Sequence, residues 1–151
     1  INVAPLINEY VEGKYGNFIT VLPGKGSSHL LSEGERIFVE TKRSQYKSND
    51  DKYFGEASVV SKELSNVDGK NVLILDDMIN TGGTIIKTCE LVKSNGANKV
   101  IVAAVHGIFA SNATEKLEKL NIDEIISTDT IESKFSKVSI APSLAEEIKK
   151  L

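Results

Sequence analysis

Short apolar runs separated by stretches of helical period are what most constrains this chain. The runs at 18–22, 37–39, 72–75, 100–105 and 122–126 are each long enough only for a strand, and most are bounded by Gly, Asn or Asp. Between the later runs, residues 84–94 and 112–120 carry apolar side chains at helical spacing. Strand, helix and strand in succession call for a crossover. The pattern therefore predicts an α/β fold, a parallel sheet with right-handed connections and helices on both faces. At 151 residues, 40% hydrophobic and 26% charged, the whole of 1–151 is expected to form one such domain.

Element ends are also legible. Ser94-Asn95-Gly96 carries a left-handed helix-stop signal, Ser111 or Asn112 is placed to cap the next helix, and Pro142 suits the first turn of a last helix over 142–151. Val3, Leu6, Ile7, Tyr10 and Val11 already keep helical spacing beside Ile1, so the chain is expected to be part of a longer protein. Residues 41–51 (TKRSQYKSNDD) are polar, mixed in charge and without an apolar period, which predicts a mobile loop. Composition alone favours a solvated excursion there over an active-site flap.

Several function classes are disfavoured by the same reading. The longest uninterrupted apolar run, 100–105, falls far short of the roughly 20 residues needed to span a bilayer, and no secretory signal is visible. Cys89 lies among Ile85, Ile86 and Val92 at helical spacing, as expected of a buried structural thiol, and a single such cysteine fits a reducing, cytoplasmic setting. A net charge of −3 without an arginine-rich stripe or interleaved aromatics argues against nucleic acid as a partner.

The chemistry concentrates after the run 72–75. There the sequence continues Asp76-Asp77, Met78-Ile79, Asn80-Thr81-Gly82-Gly83-Thr84, and then the amphipathic stretch. In open parallel sheets, ligands bind beyond the carboxyl ends of strands. Gly82 and Gly83 allow close approach, so successive backbone N–H groups can converge on a phosphate at a helix N-terminus, and Thr81 and Thr84 add hydroxyls. Adjacent carboxylates at a strand tip cannot both face a core, so at least one should meet solvent, sugar hydroxyls or a metal. Each piece alone is an ordinary turn or cap device; their order makes the binding reading the stronger one.

The segment 73–84 (LILDDMINTGGT) closely resembles the phosphoribosyl diphosphate signature of type I phosphoribosyltransferases and, more closely, that of ribose-phosphate diphosphokinases. Val105-His106-Gly107-Ile108-Phe109 resembles a THGIF-like segment of the diphosphokinases, Ser127-Thr128-Asp129-Thr130 a late TNT-like segment, and 1–10 (INVAPLINEY) the helix that opens their C-terminal half. The resemblance implies a type I phosphoribosyltransferase-like parallel sheet flanked by helices. It also implies transfer of diphosphate from ATP to ribose 5-phosphate, with Mg2+ as helper, in a homo-oligomer of at least two copies. Asp76 and Asp77 would hold sugar and metal, Asn80, Thr81, Gly82, Gly83 and Thr84 the 5-phosphate, and Lys42 and Arg43 the transferring group. As C-terminal half, the chain alone should not turn over. Two rivals remain beside it, a type I phosphoribosyltransferase and a non-catalytic regulatory paralogue.

Three positions depart from the resembled pattern. Asn80 stands where an acid is usual, Gly24 replaces the aspartate of an SPDxG-like segment, and Thr41 falls where the lysine of a Lys-x-Arg element belongs, with Lys42 one residue away. His29 has no ligand partner at metal-binding spacing and is expected at or near the surface. His106 is expected to line the same end of the sheet as the loop, with a part in ordering it.

Overall fold

A computed structural model describes residues 2–30, 36–39, 41–43, 57–59 and 62–151. The apolar runs form a six-stranded parallel sheet made of β1 (Ile19–Leu22), β2 (Arg36–Phe38), β5 (Asn71–Ile79), β6 (Lys99–Gly107), β7 (Glu124–Thr128) and β8 (Ser136–Val138), in the order β2-β1-β5-β6-β7-β8. Two further strands, β3 (Thr41–Arg43) and β4 (Ala57–Val59), pair antiparallel in a separate sheet. The helices are α1 (Ala4–Tyr15), α2 (Gly83–Ser94), α3 (Ala113–Glu118) and α4 (Ala141–Ile148), with 3-10 turns at Lys25–Leu30 and Lys62–Val67.

Alternation along the central strands creates two cores. Val72 and Ile74 of β5 join Val100 and Val102 of β6 and the inward face of α2, Ile85, Cys89 and Val92. Leu73 and Leu75 join Ile101 and Ala103 and the inward face of α1, Ala4, Ile7 and Val11. Burial of this kind on both faces is why the strands read as continuous apolar runs. Cys89 is fully buried, and burial pushes its thiol up to about 12, so it is the packed structural thiol expected. Gly96, at φ +87, ends α2 in the left-handed conformation anticipated at Ser94-Asn95-Gly96.

Some expectations are corrected. Thr41–Arg43, expected as the start of a mobile loop, is a strand: backbone pairing with Ala57–Val59 needs no apolar period, so it leaves no mark in the hydropathy pattern. Residues 44–51 of that expectation lie outside the described residues. The strand anticipated at 72–75 continues through Asp76 and Asp77 to Ile79, because β6 keeps pairing with it as far as Ile79↔Gly107. Asn112 occupies the N-cap of α3 but makes no side-chain capping bond.

At the amino ends of the strands, Glu124 of β7 gathers α1. Its carboxylate accepts hydrogen bonds from the Tyr10 hydroxyl (3.0 Å), the Tyr15 hydroxyl (2.8 Å) and the Lys14 ammonium (3.0 Å to each oxygen). Burial alone would raise the carboxyl's pKa; the bonds from Tyr15, Lys14 and Tyr10 outweigh it and hold it below the usual range. A group so depressed contributes stability above its unfolded pKa and loses it as pH falls through the folded value. We expect Glu124→Leu to lower stability by about 2 kcal/mol at neutral pH. In chemical denaturation at neutral and acidic pH, the gap between wild type and variant should narrow once the pH drops below the usual carboxylate range.

Candidate active site

The carboxyl ends of β1, β5 and β6 meet around Asp76. Lying on β5 opposite Ala104, it is half-buried, and one carboxylate oxygen accepts both the Ser27 hydroxyl and the Asp77 N–H (2.9 Å). Burial pushes the Asp76 carboxyl up to about 6, an effect opposed by the Ser27 hydrogen bond and reinforced by the neighbouring Asp77 carboxylate. Ser27 is buried in the 3-10 turn after β1, so that turn fixes a side chain on a strand distant in sequence. One Asp76 oxygen is thus occupied by the fold, and an ionised carboxylate keeps acceptor capacity on the other.

After Ile79 the chain leaves the sheet. The Ile79 carbonyl accepts the N–H groups of both Ile108 and Phe109 (3.0 Å each), which pins the start of the loop to the end of β6. Phe109 makes these contacts at φ +49, a strained value for a side-chain-bearing residue, and its ring packs on Phe135 with centroids 4.7 Å apart. The His106–Phe109 segment therefore supports the loop from below.

Asn80 and Thr81 are exposed, and Gly82 turns the chain into α2. The two glycines serve different needs. Gly82, at φ +77, is buried, and an added Cβ would meet Ala113, Ile86 and Leu117 at 3.6–3.8 Å, so the fold itself asks for glycine. Gly83 has no positive φ, and an added Cβ would meet nothing within 4 Å. The helix ladder begins with the Ile86 N–H on the Gly82 carbonyl (2.9 Å), so the N–H groups of Gly83, Thr84 and Ile85 have no acceptor within the helix. These donors and the helix dipole suit an anion.

A cavity of about 350 Å³ is lined by Asn2 and Val3 at the start of α1, His29 and Leu30 of the 3-10 turn, Asp77 of β5, and Val105 and His106 of β6. His106 is thus at the loop end of the sheet, as anticipated. His29 is exposed as expected, but it also shares a wall with Asp77 and His106, a convergence that spacing along the chain does not reveal.

The structure gathers Asp76, Asp77, Asn80, Thr81, Gly82, Gly83 and Thr84 on one strand-to-helix junction. Lys42 and Arg43 sit on β3, paired with Ser58 and Ala57, in the separate two-stranded sheet. Gly24 follows β1 in a tight turn closed by its N–H on the Leu22 carbonyl (2.8 Å), at φ +130. That backbone favours glycine, so the place of the resembled family's aspartate is held by a turn that disfavours any L side chain. Among the described residues, no group of three or more His, Cys, Asp or Glu could hold a metal ion, and no helix is long and apolar enough to cross a membrane.

Residues 57–149 match the family described as the phosphoribosyl synthetase-associated domain. The chain is 40% identical over 139 residues to the ribose-phosphate pyrophosphokinase of Pyrococcus furiosus, covering 91% of this chain and 48% of that protein. It is 36% identical over 147 residues to the enzyme of the same name from Thermococcus kodakarensis, covering 95% of this chain and 51% of that protein. The crystal structure of phosphoribosylpyrophosphate synthetase from Mycobacterium smegmatis superposes with a TM-score of 0.69 at 27% identity, covering 97% of this chain and 49% of that one. An adenine phosphoribosyltransferase structure from Giardia lamblia shares the fold at a TM-score of 0.56 and 17% identity, covering 83% of this chain and 75% of that one. The chain spans about half the length of the curated relatives it matches. On the match over 57–149, which takes in β5, the loop after it and α2, the chain belongs to the phosphoribosyl synthetase-associated family.

Proposed function

We propose that this chain is the sugar-phosphate-binding half of a ribose-phosphate diphosphokinase, which moves the diphosphate of ATP to the 1-hydroxyl of ribose 5-phosphate. The observation that carries the reading is the junction from Asp76 to Thr84: a half-buried carboxylate with one oxygen spare, a left-handed Gly82, an open Gly83, and the unpaired N–H groups of α2. The names of relatives at 36–40% identity support the diphosphokinase branch over a phosphoribosyltransferase.

In this reading the 5-phosphate rests on the N–H groups of Gly83, Thr84 and Ile85, with the Thr81 and Thr84 hydroxyls and the Asn80 amide beside it. Asp76 and Asp77 take the sugar hydroxyls. The same two carboxylates, completed by substrate phosphates, form the kind of donor set that magnesium accepts. Magnesium held there would neutralise charge on the transferring diphosphate. Lys42 and Arg43 would meet that diphosphate from the β3–β4 sheet, with Lys42 taking the place of the lysine that Thr41 lacks. The cytoplasmic setting and an assembly of at least two copies belong to the same reading.

The distinct needs of the two glycines provide a test. Gly83→Val has room in the fold and fills the space where the phosphate would sit. It should leave the melting temperature close to wild type and abolish calorimetric binding of ribose 5-phosphate; unchanged affinity would refute the site.

Asp76 provides a second. Because its folded pKa lies above the unfolded value, the native state binds more protons between the two, and the cost of its buried charge is felt above pH 6 and relieved as pH falls toward 4. Asp76→Asn should therefore raise the melting temperature at pH 8, have little effect near pH 4, and weaken sugar binding. A lower melting temperature at pH 8 would show that the charge is stabilising after all.

Turnover gives a third. A loop cation that meets charge developing only during transfer should affect rate more than sugar affinity. In the complete protein, Lys42→Ala should slow AMP formation from ATP and ribose 5-phosphate about a hundredfold, with sugar affinity nearly unchanged.

A further inference from the structure

Four polar side chains are buried among the described residues: Ser27, Thr88, Ser127 and Thr128. Three of them satisfy their hydroxyls nearby or within the scaffold, as buried polar groups ordinarily do. Thr88 donates to the Thr84 carbonyl one helical turn back (2.9 Å), Thr128 donates to the Val105 carbonyl (2.7 Å), and Ser127 meets the Ser133 hydroxyl (3.3 Å). Of the four, Ser27 alone sends its hydroxyl to a carboxylate of the candidate site, Asp76, 49 residues away. A serine in a tight turn ordinarily bonds to backbone close by, so satisfying the hydroxyl does not by itself select this partner.

The bond has a definite direction. The Asp77 N–H can only donate, so the Asp76 Oδ1 that it reaches acts as an acceptor, and Ser27 is the donor of the second bond to the same oxygen. Two donors fill the two lone pairs of Oδ1. A carboxylate left to itself swings broadly about its last torsion; here a swing would break both bonds, so the plane of the group is set and Oδ2 is the oxygen that keeps acceptor capacity. Ser27 is held in turn. The Gly24 N–H on the Leu22 carbonyl (2.8 Å) closes the chain just before its 3-10 turn, and Leu30, buried with Leu22, Leu73 and Leu75, anchors the far end.

We propose that Ser27 is a specificity-determining positioning residue: by holding Oδ1 it makes Asp76 meet one sugar hydroxyl through Oδ2, rather than bracket a vicinal pair with both oxygens. The inference rests on the sugar-phosphate reading above, in which Asp76 takes a hydroxyl of ribose 5-phosphate. Ser27 acts through Asp76 alone. An acceptor oriented beforehand binds a directional donor without first losing its own torsional freedom, so the effect falls on the ligand's hydroxyls and spares its phosphate.

The test compares ribose 5-phosphate with tetrahydrofurfuryl phosphate, which keeps ring and phosphate and lacks ring hydroxyls, by calorimetry on the complete protein. Ser27→Ala removes a single oxygen atom and should leave the melting temperature close to wild type. It should weaken ribose 5-phosphate about tenfold and leave the hydroxyl-free analogue unchanged. Ser27→Cys, whose thiol is a weak donor, should fall between wild type and Ser27→Ala. Equal losses for the two ligands would mark a general disturbance of the site and overturn the inference. Unchanged or tighter binding of ribose 5-phosphate by Ser27→Ala would overturn it too, the latter by showing that the serine competes with the sugar. In each of these cases the phosphate site stands. Wild type binding neither ligand overturns the underlying reading and the inference with it.

Discussion

The pairing of β5 with β1 on one side and β6 on the other holds the rest of the structure in place. A strand with parallel neighbours on both edges and apolar layers on both faces cannot slide or tilt without uncovering Val72, Leu73, Ile74 and Leu75, all buried. Its tip therefore comes to a fixed point in space. Asp76 and Asp77 are carried there by the backbone, the 3-10 turn after β1 delivers Ser27 to one side, and the Ile79 carbonyl, clasped by Ile108 and Phe109, delivers the loop on the other. The loop then inherits its geometry from the sheet, which preorganises it.

Polar groups at this end are divided between support and availability. Ser27 and the Asp77 amide occupy one Asp76 oxygen; Thr128 and Thr130 occupy the Val105 carbonyl; Thr130 in turn faces one nitrogen of His106. Asp76 thus has one oxygen held by the fold, and His106 one ring nitrogen. The opposite end of the sheet is organised differently: around Glu124 the tyrosines and lysine of α1 use both carboxylate oxygens, leaving a structural clamp.

The main strands were legible because both of their faces are buried, which concentrates apolar residues into short runs. The strand-to-helix junction was legible because Asp-Asp, Thr-Gly-Gly-Thr and an amphipathic helix follow one another without interruption. What escaped is set by contacts with no local signature. β3, β4 and β8 are short and owe their form to backbone pairing. β5 runs on to Ile79 although its apolar residues stop at Leu75, because the partner strand continues. Ser27 meets Asp76 across 49 residues, and His29 comes to line one cavity with Asp77 and His106 only once the turn after β1 is in place. No spacing rule reaches that far.

Gly24 is fixed by the turn that holds it. With its backbone at φ +130, an aspartate introduced by one substitution would arrive in a conformation hostile to it, and the surrounding turn, which also offers the Leu22 carbonyl to Val39, would have to be rebuilt first. A carboxylate at this position would therefore ask for more than one substitution.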